Sequence, residues 1–267
     1  MGFEDNKNMN AKEVVLAFCK AAFADFDADK TKELLAEDYI QHNPNVPTGA
    51  APVLGFLGPL KEAGLTCETH RILTQGDLVV LHNEYRNAQA FGAGGDHLVT
   101  FDVFRVQEGK VVEHWDNLQP YADQTASGRT MVDGPKEIVD LDQTTANQTM
   151  IQNFIQDILI GGQAEKLTDY ISTEQYDQHN PMVEDGLAGL GKALQMFAEA
   201  GKPMVYTQCH QIVAEGNFVF TMSEGSLGPS SPTAFFDLFR VEEGKIVEHW
   251  DAMSEIPEKM AHENGKF

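Results

Sequence analysis

The chain has 267 residues, and its 41 acidic and 19 basic side chains give a formal net charge of −22. An acidic surface of this kind repels phosphate groups, so we expect no nucleic acid and no membrane surface among its partners. Hydrophobic residues make up 42% of the chain, which is the ordinary proportion for a globular protein.

The cysteines and the first residues bear on the location of the protein. Three cysteines without a CxxC pair argue against a disulfide framework and favour a reducing compartment. The first ten residues, MGFEDNKNMN, lack the basic and apolar regions of a signal peptide, and Asn6 stands where a myristoylation motif requires Ser or Thr. No apolar run reaches the length of a membrane span. We therefore expect a cytoplasmic protein.

The first half of the chain begins with helical patterns and continues with strand patterns. Apolar residues at helical spacing predict helices over 11–26, 30–39 and 51–64, with the loop YIQHNPNVPTG between the second and the third. The segments 68–86 and 97–119 each predict two strands joined by a Gly-containing turn. Helices followed by an antiparallel sheet indicate an α+β fold.

The second half of the chain repeats the first. YIQHNPNVPTG returns as YDQHNPMVEDG, and DVFRVQEGKVVEHWD at 102–116 returns as DLFRVEEGKIVEHWD at 237–251, which gives a period near 135 residues. Two copies of that length indicate duplicated domains rather than a solenoid. We predict a first copy over 1–125, a connector over 126–142 and a second copy over 143–267. The helices predicted in the second copy cover 147–159, 163–172 and 187–201.

The last hairpin of each copy carries the titratable residues. A three-residue loop over 107–109 would place Asp102 opposite His114. Because side chains alternate along a strand, one face would then carry four residues of interest, and the aromatic side chains Phe101 and Trp115 would lie on the other. Two alternatives stay open: the titratable face could point to solvent, or the register could be wrong by one residue. The four residues are Asp102, Phe104, His114 and Asp116, repeated as Asp237, Phe239, His249 and Asp251.

Three motifs carry a resemblance to a known family. QHNP, DxFRxxxGKxVEHWD and SGRTMVDGP resemble the SnoaL-like branch of the nuclear transport factor 2-like superfamily. The resemblance implies two cone-shaped domains, each with helices packed on a curved antiparallel sheet around a deep pocket. Members of this family include polyketide cyclases, which close rings by aldol condensation without a cofactor. Such domains often dimerise through the outer sheet face, so the two copies are expected to pair as a pseudo-dimer inside a monomer.

The resemblance also implies which residues act as acid and base. Asp102 and Asp237 would be the general acid/base groups, with His114 and His249 orienting or sharing the proton. Burial raises the pKa of a carboxyl group and makes it a useful base near neutral pH. The alternative is a structural Asp–His hydrogen bond. Because no HxH or HExxH spacing occurs, we expect no metal and no cofactor.

The remaining candidate residues would contact the ligand. The QHNP loop is expected at the pocket mouth, and Phe104 and Asp116, with Phe239 and Asp251, lie on the face of the acid/base pair. His82 becomes Met222 in the second copy, which predicts a fuller pocket and the main activity in the first copy; the alternative is that His82 merely packs in the sheet. The loop candidates are Tyr39, His42 and Asn43 in the first copy and Tyr176, His179 and Asn180 in the second.

Two functions remain open at this point. The first is a cofactor-independent lyase, cyclase or isomerase that uses Asp–His acid/base chemistry on a small hydrophobic carbonyl compound. The second is a module that binds a small hydrophobic molecule without turnover. The recurring Asp–His pair favours the enzyme, because a purely apolar binding site does not need it.

Overall fold

A computed structural model describes residues 8–267, and these form two compact units. The first unit contains the chain up to Tyr121 together with Pro257–Phe267, and the second contains Ala122–Ile256. The predicted boundaries differ from these units, because the predicted connector belongs to the second unit and the last eleven residues belong to the first. The expectation about a signal peptide or a myristoylation site falls largely on residues 1–7, outside the described part of the chain.

From residue 8 onwards, the first unit contains three α-helices and a five-stranded sheet with the order β1-β5-β4-β3-β2. None of the helices described in either unit is both long and apolar enough to span a membrane. The elements are α1 Ala11–Lys20, α2 Ala28–Leu34, β1 Leu35–Gln41, α3 Ala50–Ala63, β2 Thr66–Gln75, β3 Leu78–Arg86, β4 His97–Gln107 and β5 Lys110–Pro120.

The second unit repeats this arrangement with the strand order β6-β10-β9-β8-β7. Its first strand is much shorter than that of the first unit. The elements are α4 Thr144–Phe154, α5 Leu167–Tyr170, β6 Asp177–Gln178, α6 Gly186–Glu199, β7 Met204–Glu215, β8 Phe218–Leu227, β9 Pro232–Glu242 and β10 Lys245–Glu255.

The first helix of each unit changes its geometry part-way. The side chain of Asn10 accepts a hydrogen bond from the backbone N–H of Glu13, and Glu13 reaches back to the N–H of Asn10, so a capping box fixes the start of α1. The chain continues as a π-helix over Ala21–Asp25, and in the second unit over Ile155–Ile160. The predictions over 11–26 and 147–159 therefore cover an α-helix followed by a π-helical turn.

The second predicted helix of the first copy is wrong in its last half. Helix α2 ends at Leu34, and Leu35–Gln41 form a strand that pairs parallel with β5. Tyr39 and Gln41 are buried while Ile40 between them is exposed, which is the alternation of a strand with one face on the core. Strands β2 to β5 are antiparallel as predicted, and β1 adds one parallel strand at the edge of the sheet.

The hairpin between β4 and β5 has a shorter loop than predicted. Glu108 and Gly109 form a two-residue turn with φ values of 50° and 75°, which is the signature of a type I′ turn. A bulge on β5 follows, so that Asp102 pairs with Asp116 and not with His114. Because the register changes by two residues, the predicted set of side chains still shares one face. The second copy repeats the turn at Glu243–Gly244 and the pairing at Asp237–Asp251.

In both units the helices pack on the face of the sheet that carries these residues. Val14 and Phe18 of α1 and Leu57 of α3 pack with Leu81 and Phe104 of the sheet. Each buried side chain of this size contributes roughly 1.5–3 kcal/mol, so this layer supplies much of the stability of the unit. The second unit has an equivalent core that includes Ile151, Phe154, Val219, Phe239 and Ile246. The titratable face therefore points to the helices and not to solvent.

Candidate functional site

A cavity of about 90 Å³ lies between the helices and the sheet of the first unit. Aromatic and aliphatic side chains of α1, the π-helix that follows it and α3 form one wall, including Phe18, Phe23 and Leu57. The opposite wall is the sheet, which brings a group of polar side chains together in an otherwise apolar space. The polar residues are Tyr39, Gln41, Asn43, Tyr85, Asp102, His114 and Asp116.

Asp102 and His114 form a buried pair at the centre of this wall. His114 Nε2 lies 3.1 Å from Asp102 Oδ1, and the two residues are 8% and 6% exposed. The imidazole stacks on Phe104 with a distance of 4.6 Å between the ring centroids. Packing on Phe104 and the contact with Asp102 fix the imidazole ring in one position.

The second oxygen of Asp102 is surrounded by hydrogen-bond donors. Oδ2 accepts from Thr100 Oγ1 at 2.7 Å and from Asn83 Nδ2 at 2.8 Å, with a longer contact of 3.4 Å to the hydroxyl of Tyr85. Donors directed at a carboxylate stabilise its charged form. The ionised state of Asp102 is therefore compatible with its burial.

Gln41 is a residue of this site that the sequence did not reveal. Its Oε1 accepts from the backbone N–H groups of His42 at 3.0 Å and Asn43 at 2.9 Å, and its Nε2 donates to the hydroxyl of Tyr39 at 3.1 Å. These contacts fix the orientation of the amide, because the opposite orientation would direct an N–H donor at two other donors. The Oε1 atom is therefore an acceptor.

The orientation of Gln41 decides the protonation of His114. Nδ1 of His114 lies 3.0 Å from Gln41 Oε1, so Nδ1 must carry the hydrogen. The other ring nitrogen, Nε2, then has a lone pair unless it carries a second proton, and it faces an oxygen of Asp102. One proton must lie between Nε2 and Oδ1, on one atom or the other. The two side chains therefore face each other at hydrogen-bond distance across a single proton.

Asp116 is the second carboxylate of the first cavity. Its Oδ2 accepts from Asn43 Nδ2 at 2.6 Å. The tail of the first unit brings Lys266 to this residue: Lys266 Nζ donates to the backbone oxygen of Asp116 at 2.6 Å and lies 3.8 Å from Oδ1. Burial lowers the pKa of Lys266, and the nearby Asp116 opposes this change. A buried lysine side chain thus lies beside the second carboxylate.

The second unit contains an equivalent but larger cavity of about 260 Å³. His249 Nε2 lies 2.9 Å from Asp237 Oδ1, and Asn180 Nδ2 donates to Asp251 Oδ2 at 2.6 Å. Gln178 occupies the position of Gln41. Both polar atoms of its amide lie near His249 Nδ1, Nε2 at 3.0 Å and Oε1 at 3.1 Å. The arrangement of the acid/base pair is therefore the same, while the amide fixes the imidazole less strictly.

Besides its buried tyrosines, the second cavity has two groups with shifted pKa values, Asp251 and His249. Burial raises the pKa of Asp251 to about 6, against the attraction of His249. Burial alone would lower the pKa of His249, but the hydrogen bond to Asp237 and the charges of Asp251 and Asp237 outweigh it, so this pKa is raised. Asp251 therefore titrates closer to neutral pH than a carboxyl group in water.

The family model of the SnoaL-like domain matches this chain twice, over residues 15–114 and 151–249. The chain belongs to the SnoaL-like family. Both matches contain the loop and the strands that form a cavity, and together they cover most of the chain, so the protein is a tandem duplication of SnoaL-like units. A search of curated proteins finds no match.

Several solved structures are similar to one SnoaL-like unit at low identity. IdmH of Streptomyces antibioticus, provisionally classed as a polyketide cyclase, is 20% identical, with 41% of this chain and 92% of that chain covered and a TM-score of 0.34. A protein of Bacillus cereus with the same provisional classification is 16% identical, with 41% and 78% covered and a TM-score of 0.34. An NTF2-like protein of unknown function from Mesorhizobium loti is 19% identical, with 41% and 90% covered and a TM-score of 0.35.

The histidines of the two QHNP motifs lie outside the cavities, contrary to the prediction. His42 stacks on Trp115 at 5.0 Å, and His179 stacks on Trp250 at 4.6 Å. Because the chain is extended here, side chains alternate between the two faces, and the neighbours of each histidine are the ones that point inward. In both SnoaL-like units the glutamine and the asparagine of QHNP line the cavity, and the histidine does not.

His82 also lies on the other face of the sheet. It pairs with Phe101 across β3 and β4, stacks on that ring at 4.4 Å, and contacts Arg71 through Nδ1 at 3.1 Å. Met222 takes the same position opposite Phe236 in the second unit. The change from His82 to Met222 therefore does not alter the lining of either cavity, and it gives no reason to assign a fuller pocket to the first copy.

The other predicted ligand-binding residues lie in the cavities. Tyr39 and Tyr176 are buried, and burial raises the pKa of both hydroxyl groups, so they act as neutral hydrogen-bonding groups. Asn43 and Asn180 each donate to the second carboxylate of their unit, as described above. The aromatic residues predicted on the same face, Phe104 and Phe239, stack on the imidazole rings of their units.

Three sets of side chains in residues 8–267 have donor atoms that could hold a divalent ion, because these atoms lie within 4.8 Å of one another. Two of the sets are the acid/base pairs with their second carboxylates. An ion there would have to displace the proton that each Asp–His pair shares. The sets are Asp102–His114–Asp116, Asp237–His249–Asp251 and Glu68–His70–Glu84.

Proposed function

We propose that the SnoaL-like units catalyse proton transfer at carbon next to a carbonyl group, without a cofactor, as an aldol-type cyclase, a lyase or an isomerase. The substrate would be a small, mostly apolar carbonyl compound. The observation that carries the proposal is the Asp–His pair with one transferable proton, which recurs at the polar wall of two otherwise apolar cavities.

The first step would be the removal of a proton from the substrate. Asp237 takes the proton from the carbon next to the carbonyl, and the carbon becomes an enolate. A carboxylate in an apolar surrounding is a stronger base than the same group in water, because burial disfavours its charge. Such a base contributes about 10²–10⁴-fold to the rate of proton transfer.

The second step would return a proton to oxygen or carbon. In a cyclase the enolate carbon attacks a second carbonyl, and His249 in its protonated form donates the Nε2 proton to the new alkoxide. Asp237 then passes its proton to Nε2, which restores the starting state. The same groups return the proton to a different carbon in an isomerase. Asp102 and His114 would perform these steps in the first unit.

A tyrosine hydroxyl supports the carboxylate in both units although it comes from different strands. In the first unit Tyr85 of β3 contacts Asp102 at 3.4 Å, and Cys67 on β2 is its partner across the strands. In the second unit Gly225 takes the position of Tyr85, and Tyr206 on β7, the partner of Gly225, contacts Asp237 at 3.2 Å. Each unit thus places a tyrosine hydroxyl beside the carboxylate, although the tyrosine comes from a different strand. This recurrence favours a chemical role for the contact.

The proposal can be tested before the natural substrate is known. Phenylacetone is a small apolar ketone with acidic protons next to its carbonyl, and their exchange with deuterated water can be followed by NMR. The full-length protein should accelerate the exchange, and the double variant Asp102→Asn/Asp237→Asn should reduce it to the rate of the buffer. Binding of the ketone without faster exchange would contradict the proposal and support a binding module.

A further inference from the structure

The second carboxylate of the second unit has one oxygen without a hydrogen-bond partner in residues 8–267. Asp251 is 5% exposed and lines the larger cavity. Its Oδ2 accepts from Asn180, whereas Oδ1 is buried and accepts from no group in this part of the chain. A buried acceptor left unpaired destabilises the folded chain, and more so when it is charged. The cavity therefore favours a ligand that brings a donor to Oδ1.

The equivalent carboxylate of the first unit has a cation beside it. Lys266 is 4% exposed, and its ammonium group lies 3.8 Å from Asp116 Oδ1 while it donates to the backbone oxygen of the same residue. The first unit thus places two basic side chains, His114 in the cavity wall and Lys266 behind it, beside its two carboxylates, although Asp116 Oδ1 accepts no hydrogen bond from residues 8–267 either. Its charges can balance without a ligand.

Met131 takes the place of Lys266 in the second unit. Two pairs of matching hydrogen bonds align the segment around Met131 with the segment around Lys266, and Met131 is also buried, at 1% exposure. Methionine brings no charge, so the second unit lacks the cation of the first. The bond from Ala126 N to Pro181 O in the second unit matches the bond from Ala261 N to Pro44 O in the first. In the same way, the contact of Thr130 O with His179 Nδ1 matches the contact of Gly265 O with His42 Nδ1.

The charge balance of the second cavity is therefore negative. Asp237 and Asp251 face a single basic side chain, His249, inside the cavity, and His249 is in contact with Asp237. His179 also acts on Asp251 but lies on the other side of the strand, where it is engaged by Glu248 at 2.8 Å. The raised pKa of Asp251 agrees with a carboxylate that lacks a counter-ion.

We propose that the cavity of the second unit is a binding site for small apolar molecules that carry a protonated amine, with the ammonium group donating to Asp251 Oδ1. The apolar part of the ligand would lie against the helices, where Phe154, Leu190 and Phe197 line the cavity. An apolar cavity of about 150 Å³ can hold a benzene molecule, so this cavity has room for a single ring. The inference does not depend on turnover and goes beyond the proposed function.

Benzylammonium and benzyl alcohol are matched probes, because they differ mainly in the charge of the head group. Calorimetry on the full-length protein, in buffer with a chelator to exclude metal ions, should show that benzylammonium binds roughly ten- to a hundredfold more tightly, the range for one buried charge-assisted hydrogen bond. Equal affinities for the two probes would overturn the proposal.

Variants at Met131 and at the two second carboxylates test whether the amine binds at Asp251. Met131→Lys should remove the preference for benzylammonium, while Met131→Leu, the matched control, should keep it. Asp251→Asn should also remove the preference and Asp116→Asn should not, which keeps the test valid if Met131→Lys does not fold. A preference that survives both Met131→Lys and Asp251→Asn, or that is lost equally in Met131→Leu, would contradict the proposal. Turnover of phenylacetone is a separate readout, so its absence would leave this result interpretable.

Discussion

The two units share one arrangement of acid, base and amide, and they differ in the charges and donors around it. Asp102 accepts from Asn83 and Thr100, but Ser223 and Phe235 stand at these positions in the second unit, where Tyr206 supports Asp237. The second cavity is also larger, and its second carboxylate lacks the neighbouring lysine that Asp116 has in Lys266. The duplication has kept the proton-sharing pair and changed the conditions in which it acts.

The difference makes the second unit the better candidate for proton abstraction. Hydrogen bonds and a nearby cation stabilise a carboxylate and weaken its tendency to take a proton. Asp102 accepts hydrogen bonds from more side chains than Asp237, and its cavity leaves less room for a substrate. The sequence-based expectation that the first copy carries the main activity rested on His82, which lies on the other face of the sheet. The structure gives the opposite expectation.

The largest effect is expected for the acid/base carboxylates. Asp237→Asn should lower the exchange of phenylacetone protons by about 10²-fold or more, because the variant lacks the base and nearly keeps its shape. Asp102→Asn should leave most of the exchange, and Asp38→Asn on the exposed side of β1 serves as the control. Equal losses in the two site variants, or a larger loss in Asp102→Asn, would show that the comparison of the units is wrong.

The tryptophans of the outer faces should be the largest single contributions to stability. Trp250 is fully buried and donates to the backbone oxygen of Asp133, whereas Trp115 is 6% exposed. Each change to Ala should lower the free energy of unfolding by roughly 3–5 kcal/mol, as measured by urea titration. Trp250→Ala should cost more, because it also leaves the oxygen of Asp133 without this donor.

The pairing of the two copies through these faces stays a prediction from the sequence. If the faces pack against each other, the effects of Trp115→Ala and Trp250→Ala should not add in the double variant, with a coupling above about 0.5 kcal/mol. Strictly additive effects, or free quenching of both tryptophans by iodide in the folded protein, would count against the pairing.

The stability of the second unit should depend on pH in a way that the first does not share. The folded-state pKa of Asp251 is about 6, above its usual 3.8, so the folded chain binds more protons than the unfolded chain between these values. Stability is therefore highest at low pH in this window and falls as the pH rises towards 6. Asp251→Asn should remove this loss and stabilise the protein at neutral pH by about 1–3 kcal/mol.

Asp116→Asn provides the matched comparison for this titration. It removes the carboxylate next to Lys266, so it should destabilise the protein at neutral pH or leave it unchanged. Thermal unfolding of both variants between about pH 4 and pH 8 tests the difference, because this range covers the window between the usual pKa of Asp251, 3.8, and its folded-state pKa of about 6. Parallel curves for the two variants would contradict the charge balance assigned to the units.

The smallest effect should be the same in both units. Glu108 and Glu243 occupy the left-handed region in the two matching type I′ turns, which costs a residue with a side chain roughly 1 kcal/mol relative to glycine. Replacing either with Gly or Asn should raise stability by about that amount or less. An increase in one unit and a decrease in the other would mean that the turns are not equivalent.

Much of the fold follows from patterns that are local in the sequence. The repeat, the first and third helices and the last hairpins were predicted because helical spacing, alternation and the EGK turns all agree. The strand β1 was missed, because Leu35–Gln41 continues an apolar helical pattern and pairs with β5, which is distant in the chain. A parallel partner leaves no turn signal in the sequence.

The missed strand also explains the errors at the site. Reading QHNP as a loop put His42 at the pocket, whereas reading it as the end of a strand would place Tyr39, Gln41 and Asn43 on one face by alternation. Lys266 could not have been found, because only the fold brings the last residues to the first unit. The Asp–His pairs were correctly placed on one face because both residues lie in one hairpin, where a two-residue error in register keeps the face.

The central claim is that the buried Asp–His pair holds a transferable proton, and the amide of Gln41 makes this testable without a substrate. NMR of the labelled ring nitrogens of His114 at neutral pH should find Nδ1 protonated, with the second proton of the pair at Nε2 or on Asp102. Asp102→Asn should leave Nδ1 protonated and remove the proton from Nε2. A neutral His114 in the unmodified protein with its only hydrogen on Nε2 would contradict the account, because Gln41 would then have to be reversed and the pair would be an ordinary structural hydrogen bond.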